Sequence, residues 1–137
     1  MKLFAKAACL PLLACAACLS SPVPSGPLSG AWAGEHIVLT AGRSGGAIEY
    51  DCGAGRIDGP IIPRQDGTFE QAGTHTPGTG GPERIGHPRP SYPASYWGKV
   101  TGTTMTLVVQ YEIAGGSPRL GPFYLVRGVE PRLLRCL

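Results

Sequence analysis

The 137-residue sequence contains few groupings with the makings of chemistry, and each has a simpler alternative. Gly42-Arg43-Ser44-Gly45-Gly46 has the spacing of a nucleophile elbow, where a serine sits on a sharp turn between a strand and a helix. Both flanks, Ile37 to Thr40 and Ile48 to Cys52, alternate apolar and polar residues, so the segment is expected to be a turn between two strands. His36, His75 and His87 are the only histidines, and none has metal-like spacing. His36 adjoins Glu35 at what reads as the start of a strand. Successive side chains there point to opposite faces, so a structural, hydrogen-bonded role is expected. A site drawing His36 to His75 or His87 across strands is the alternative. Glu49 and Asp51 stand two apart on one strand face, the outward one if Ile48 and Tyr50 point inward; glycoside cleavage would need a cleft around them. Neither a G-x-x-x-x-G-K-[ST] loop nor a dinucleotide fingerprint occurs. No catalytic residue, metal or cofactor is expected.

Binding is the better prospect. Trp32, Tyr92, Tyr96 and Trp97 carry polar tips on large apolar bodies and suit either a barrel mouth or a core. Tyr96 and Trp97 are neighbours on one strand, so they cannot both be core. Pro77 to Pro93 is dense in proline and glycine and lacks alternation, which marks a long loop, functional or disordered. The candidate contacts for a ligand or partner are Trp32, His36, Arg84, His87, Arg89, Tyr96 and Trp97.

The elements that must position them read as strands throughout. Met105, Leu107, Val109, Tyr111 and Ile113 alternate with Thr104, Thr106, Val108, Gln110 and Glu112, the period of a strand with one face buried. Ile37 and Leu39, then Ile48, Tyr50 and Cys52, then Phe123 and Leu125 repeat the pattern. Turn residues separate these runs at Gly42 to Gly46, Gly53 to Gly55, Asp66-Gly67, Gly102, Gly115-Gly116 and Gly128. Gly42 to Gly46 divides the first two strands, and Cys52 ends the second. The fold class is all-β: a small antiparallel meander of about eight strands closed into a barrel, with one disulfide.

The chain begins as a secretory signal does. Lys2 and Lys6 precede an apolar run from Ala7 to Leu13, too short for a bilayer span of roughly 20 residues. Leu12-Leu13-Ala14-Cys15 resembles a lipobox, which implies cleavage after Ala14 and a diacylglyceryl group on Cys15. Cys18 is the alternative lipid carrier, and ordinary cleavage after Ala16 would instead release a secreted protein. Residues 1–14 are thus expected as signal peptide, 15–30 as a Ser/Pro/Gly-rich tether and 31–137 as the barrel. Loss of Lys2 and Lys6 leaves 10 basic against 9 acidic side chains, so the basic balance argues for no nucleic acid. Cys52 and Cys136 are the cysteines left inside the domain, and in an oxidising compartment they are expected to pair, bringing the chain's end beside its beginning.

Three resemblances bear on function. Gly30-Ala31-Trp32 with a late Arg127 or Arg132 resembles the opening of calycin, lipocalin-like barrels. That likeness implies an arginine stacked on the tryptophan and an apolar cavity above it. Tyr50-Asp51-Cys52, Trp97-Gly98-Lys99 and Cys136 resemble the frame of lipoprotein inhibitors of C-type lysozyme, although that family's Ser-Gly-x-Arg/Lys-Tyr loop is missing. Trp32 to Ile37, Tyr50 to Cys52, Gly55 to Asp58, Tyr96 to Val100 and Leu125 to Gly128 are similar to small exported bacterial proteins of unassigned function. The expectation is a periplasmic or outer-membrane lipoprotein, or a secreted form, acting as a non-catalytic module that binds a small apolar ligand or a protein. The alternatives are an inhibitor of a wall-degrading enzyme and a structural envelope protein. An open cavity lined by Trp32 or Trp97 would favour a ligand, and a filled barrel with a rigid protruding loop an inhibitor.

Overall fold

The computed structural model describes residues 22–79, 81–82, 84–134 and 136. The expected signal peptide, Cys15, Cys18 and most of the tether lie outside them.

Eight strands form a closed antiparallel barrel in chain order: β1 (Gly30–Gly34), β2 (Ile37–Gly42), β3 (Gly45–Tyr50), β4 (Ala54–Asp58), β5 (Thr68–Thr76), β6 (Tyr92–Thr101), β7 (Thr104–Tyr111) and β8 (Arg119–Arg127). Each strand pairs with the next, and β1 pairs with β8 through Trp32 with Arg127 and Ala33 with Val126. Closure leaves the barrel with no unpaired sheet edge.

Inward positions supply the core. Trp32, Leu39, Ile48, Ile57, Phe69, Tyr96, Val100, Met105, Leu107, Val109 and Leu125 are buried in one cluster. Gly55 and Gly73 make room for Tyr96. A Cβ at Gly55 would overlap the Tyr96 hydroxyl, and one at Gly73 would strike the Arg56 carbonyl and approach the Tyr96 ring to 3.0 Å.

One end, the floor, is plugged. Leu28 and Ile61 are both buried there, joined by a hydrogen bond from the Leu28 amide to the Ile61 carbonyl at 2.8 Å. The Arg127 guanidinium lies 5.9 Å from the centre of the Trp32 ring and donates to Ser29 Oγ at 3.3 Å. Leu28, within the expected tether, thus packs against the barrel floor. Leu28 is a lone apolar residue among Ser, Pro and Gly, and no periodicity announces it.

At the opposite, loop end, Glu35 and His36 form a two-residue turn, with His36 at φ 66°. Histidine tolerates this left-handed region better than most residues do. The turn splits the expected first strand in two, so Cys52 follows the third strand instead of ending the second. Cys136 also lies off the sheet. Past Arg127 the chain reverses at Gly128, whose amide bonds the Ala31 carbonyl, and runs parallel to β1 until the Arg132 carbonyl accepts from the His36 amide at 3.0 Å. Ala33 and Val38 are register partners on the outward side, yet both are buried, as the returning strap accounts for. Cys136 then bonds Cys52, with Cα atoms 5.4 Å apart across 84 residues of sequence. The disulfide thus ties down a strap, and the pairing of β1 with β8 closes the barrel.

Candidate functional site

The loop end gathers the β1–β2 turn, the β3–β4 turn, the long 77–91 loop and the strap. Between the last three lies an open cleft of about 820 Å³, walled by Asp51, Gly53, Pro82, Arg89, Pro131 and Leu134 among others.

Asp51 organises one wall. Its Oδ2 lies 2.6 Å from His36 Nδ1, and its Oδ1 accepts from the Leu134 amide at 2.7 Å. One carboxylate thereby joins the β1–β2 turn, the β3–β4 turn and the strap. The expectation that Asp51 shares an outward strand face with Glu49 fails, because β3 ends at Tyr50 and Asp51 turns into this junction. His36 is likewise a turn residue and not a strand residue. Glu35 lies within 3.8 Å of its Nε2, so the two side chains do converge.

The facing wall is the long loop. Arg89 Nη1 donates to the Cys52 carbonyl at 2.9 Å, and Thr76 Oγ1 and Ser91 Oγ share a hydrogen bond of 2.7 Å at the loop's base. Farther out, the His87 amide bonds the Arg84 carbonyl at 3.1 Å, closing a tight turn with Gly86 at φ 85°. Ile85 stands at the tip with its side chain fully exposed (102 %), flanked by Arg84 and His87.

Beneath the cleft an aromatic layer seals the barrel. His75 is 3 % exposed; its ring meets Tyr50 edge-on at 5.3 Å and lies 4.4 Å from Tyr111, which neighbours Tyr92 at 6.2 Å. Phe123 packs against Tyr50 at 5.7 Å. Burial pushes the His75 pKa down, and its Nδ1 has no hydrogen-bond partner among the described residues. The Tyr96 hydroxyl donates to the Thr74 carbonyl at 2.5 Å, and burial pushes its pKa up to about 12. Burial, with the neighbouring Tyr96 hydroxyl second, also raises the Tyr50 pKa. Among the described residues the Tyr50 hydroxyl makes no well-formed hydrogen bond.

The candidate contacts therefore divide. Arg84 and His87 meet at the outer turn of the loop, Arg89 lies nearer its base on the cleft wall, and His36 joins the junction behind the cleft. Trp32 (1 % exposed) and Tyr96 (0 %) are core residues, out of reach of a ligand in solvent. Trp97 points outward from β6, with the Arg119 guanidinium 4.9 Å from its ring centre. The cavity implied above Trp32 is occupied by packed side chains. Among the described residues no group of three or more histidines, cysteines and carboxylates is placed to hold a metal. Sequence reasoning missed Ile85 and the strap residues Pro131 and Leu134. The signal for Ile85 was an apolar branched residue inside a Pro/Gly loop, where burial is not to be had.

The fold and the cleft define a small, closed, side-chain-filled β-barrel with an open cleft at its loop end. No protein-family model, no curated protein and no solved structure matches the chain.

Proposed function

We propose that the protein is an exported, lipid-anchored, non-catalytic module of the bacterial envelope that binds a protein partner at its loop end. The filled interior carries this reading: with Trp32 and Tyr96 sealed in the core, binding falls to the cleft and the Ile85 turn. Ile85 between Arg84 and His87 suits a partner that offers an apolar pocket with acidic surroundings. Burying such a side chain contributes about 1.5–3 kcal/mol, and the anchored base of the loop lowers the ordering cost.

A photo-crosslinking residue at position 85 in intact cells tests the reading, with position 43, on the floor-end turn, as control. A discrete protein adduct from position 85 alone is expected. Equal labelling from both positions, or none from 85, sinks it. A small molecule retained by the processed protein in native mass spectrometry would replace the protein partner with a ligand.

The protruding turn also favours a second reading, an inhibitor of a wall-degrading enzyme such as lysozyme. On that reading the purified protein slows lysozyme clearing of cell walls, and Ile85→Asp does not.

A further inference from the structure

The outer face of β6 to β8 breaks the rule that outward strand positions are polar. Trp97 stands opposite Val108, Thr106 opposite Tyr124, and Thr104 opposite Val126. Tyr124 is 71 % exposed, with Val126 and Val129 exposed as well. A groove of about 250 Å³ crosses the floor-end half of this face, lined by Lys99, Thr104, Thr106, Tyr124 and Val126. Lys99 and Arg119 supply positive charge, and Glu70, opposite Trp97 on β5, bounds the patch.

A second, independent observation concerns where the chain enters this face. The Pro22 carbonyl accepts a hydrogen bond from the Gly102 amide at 2.9 Å, which places the start of the described chain at the β6–β7 turn. Thr101 and Thr104, on either side of that turn, line the groove. Cys15 precedes Pro22 by about seven residues, a reach of at most about 25 Å. A lipid on Cys15 would therefore bring this face within reach of a bilayer.

We infer that the outer face of β6 to β8 rests on a membrane surface with anionic headgroups; the inference rests on the lipid-anchored reading above. Tyr124 and Trp97 have the apolar body and polar tip that settle among headgroups. Val126 adds apolar area. Lys99 lays its stem along the groove and meets phosphate with its ammonium group. The patch is small, but the tether makes the contact intramolecular, so weak affinity suffices. Held in this way, the barrel keeps its loop-end cleft clear of the lipid.

The test uses the processed protein, purified with its anchor and reconstituted into phosphatidylcholine vesicles with and without phosphatidylglycerol, with bromine on the acyl chains. Trp32 is buried and serves as the unquenched reference, so Trp97 reports contact. In anionic vesicles Trp97 emission should fall about two-fold. High salt or Trp97→Phe should remove the effect, and so should Tyr124→Glu with Val126→Glu, which lie on the surface and leave the circular dichroism unchanged. Intact mass of the same sample separates two failures. A diacylglyceryl group with no quenching overturns this inference alone. A bare chain beginning at Ala17 overturns the anchored reading, and the inference falls with it. Self-crosslinking through position 124 without quenching would make the face an interface between copies and overturn it too.

Discussion

Asp51 and His36, fifteen positions apart in sequence, meet at 2.6 Å, and the same carboxylate accepts the Leu134 amide at 2.7 Å. Three chain segments depend on this one side chain at the loop end. Asp51→Ala should destabilise the protein by about 1–2 kcal/mol in urea unfolding with the disulfide intact. Amide exchange should quicken at Leu134, while Asp51→Asn, which keeps an acceptor, should lose less. Unchanged exchange at Leu134 would show that the strap is held elsewhere.

Cys52 and Cys136 fasten the strap but do not close the barrel. On the chain-entropy account, removing the bond costs about 4–5 kcal/mol for a loop of this length. Cys136→Ser should lower the melting temperature while far-ultraviolet circular dichroism keeps its strand signature, because the pairing of β1 with β8 is independent of the bond. The native intact mass should be two hydrogens short of the reduced chain.

Stability should fall towards both extremes of pH. The His75 pKa is lowered in the fold, so below its ordinary value of 6.5 the unfolded chain binds the extra proton and stability drops as pH falls. Tyr50 and Tyr96 have raised pKa values, so above 10 the unfolded chain ionises first and stability drops as pH rises towards about 12. Denaturant titrations from pH 5 to 11 check both limbs. His75→Phe should flatten the acid limb, and an unchanged slope would place the effect on another group.

Gly73 is filled space. Gly73→Ala brings a methyl against the Arg56 carbonyl and the Tyr96 ring and should cost about 1–3 kcal/mol or more. Gly42→Ala meets nothing within 4 Å among the described residues and should be nearly neutral. Equal melting temperatures for the two variants would contradict the packing described.

The fold was legible where physics is local. The period-two runs at Met105 to Tyr111 and Ile48 to Tyr50 located strands, glycine turns divided them, and the cysteine count named the bonded pair. What escaped depends on longer range. Glu35-His36 carries no glycine or asparagine, so its turn emerges only once β1 and β2 pair. The strap has no period of its own, because β1 and Asp51 hold it by scattered contacts. Whether Trp32 faces a cavity or a packed core depends on the volumes of residues from all eight strands. The candidate site was half visible: Arg84, His87 and Arg89 fell on the loop, while Trp32 and Tyr96 were absorbed by the core.

The register that joins Trp32 to Arg127 has a consequence for the order of assembly. Hairpins from β1 to β7 can form as each strand emerges, but the ring cannot shut until a residue 95 positions after Trp32 has been delivered. That last contact has the highest sequence separation in the sheet and meets the largest loop-closure entropy, so it is the slow step on topological grounds. Until then the chain stays an open ribbon that can be unravelled from either end. A polypeptide built this way stays an openable ribbon for nearly its whole synthesis, and becomes a locked object only with its last strand.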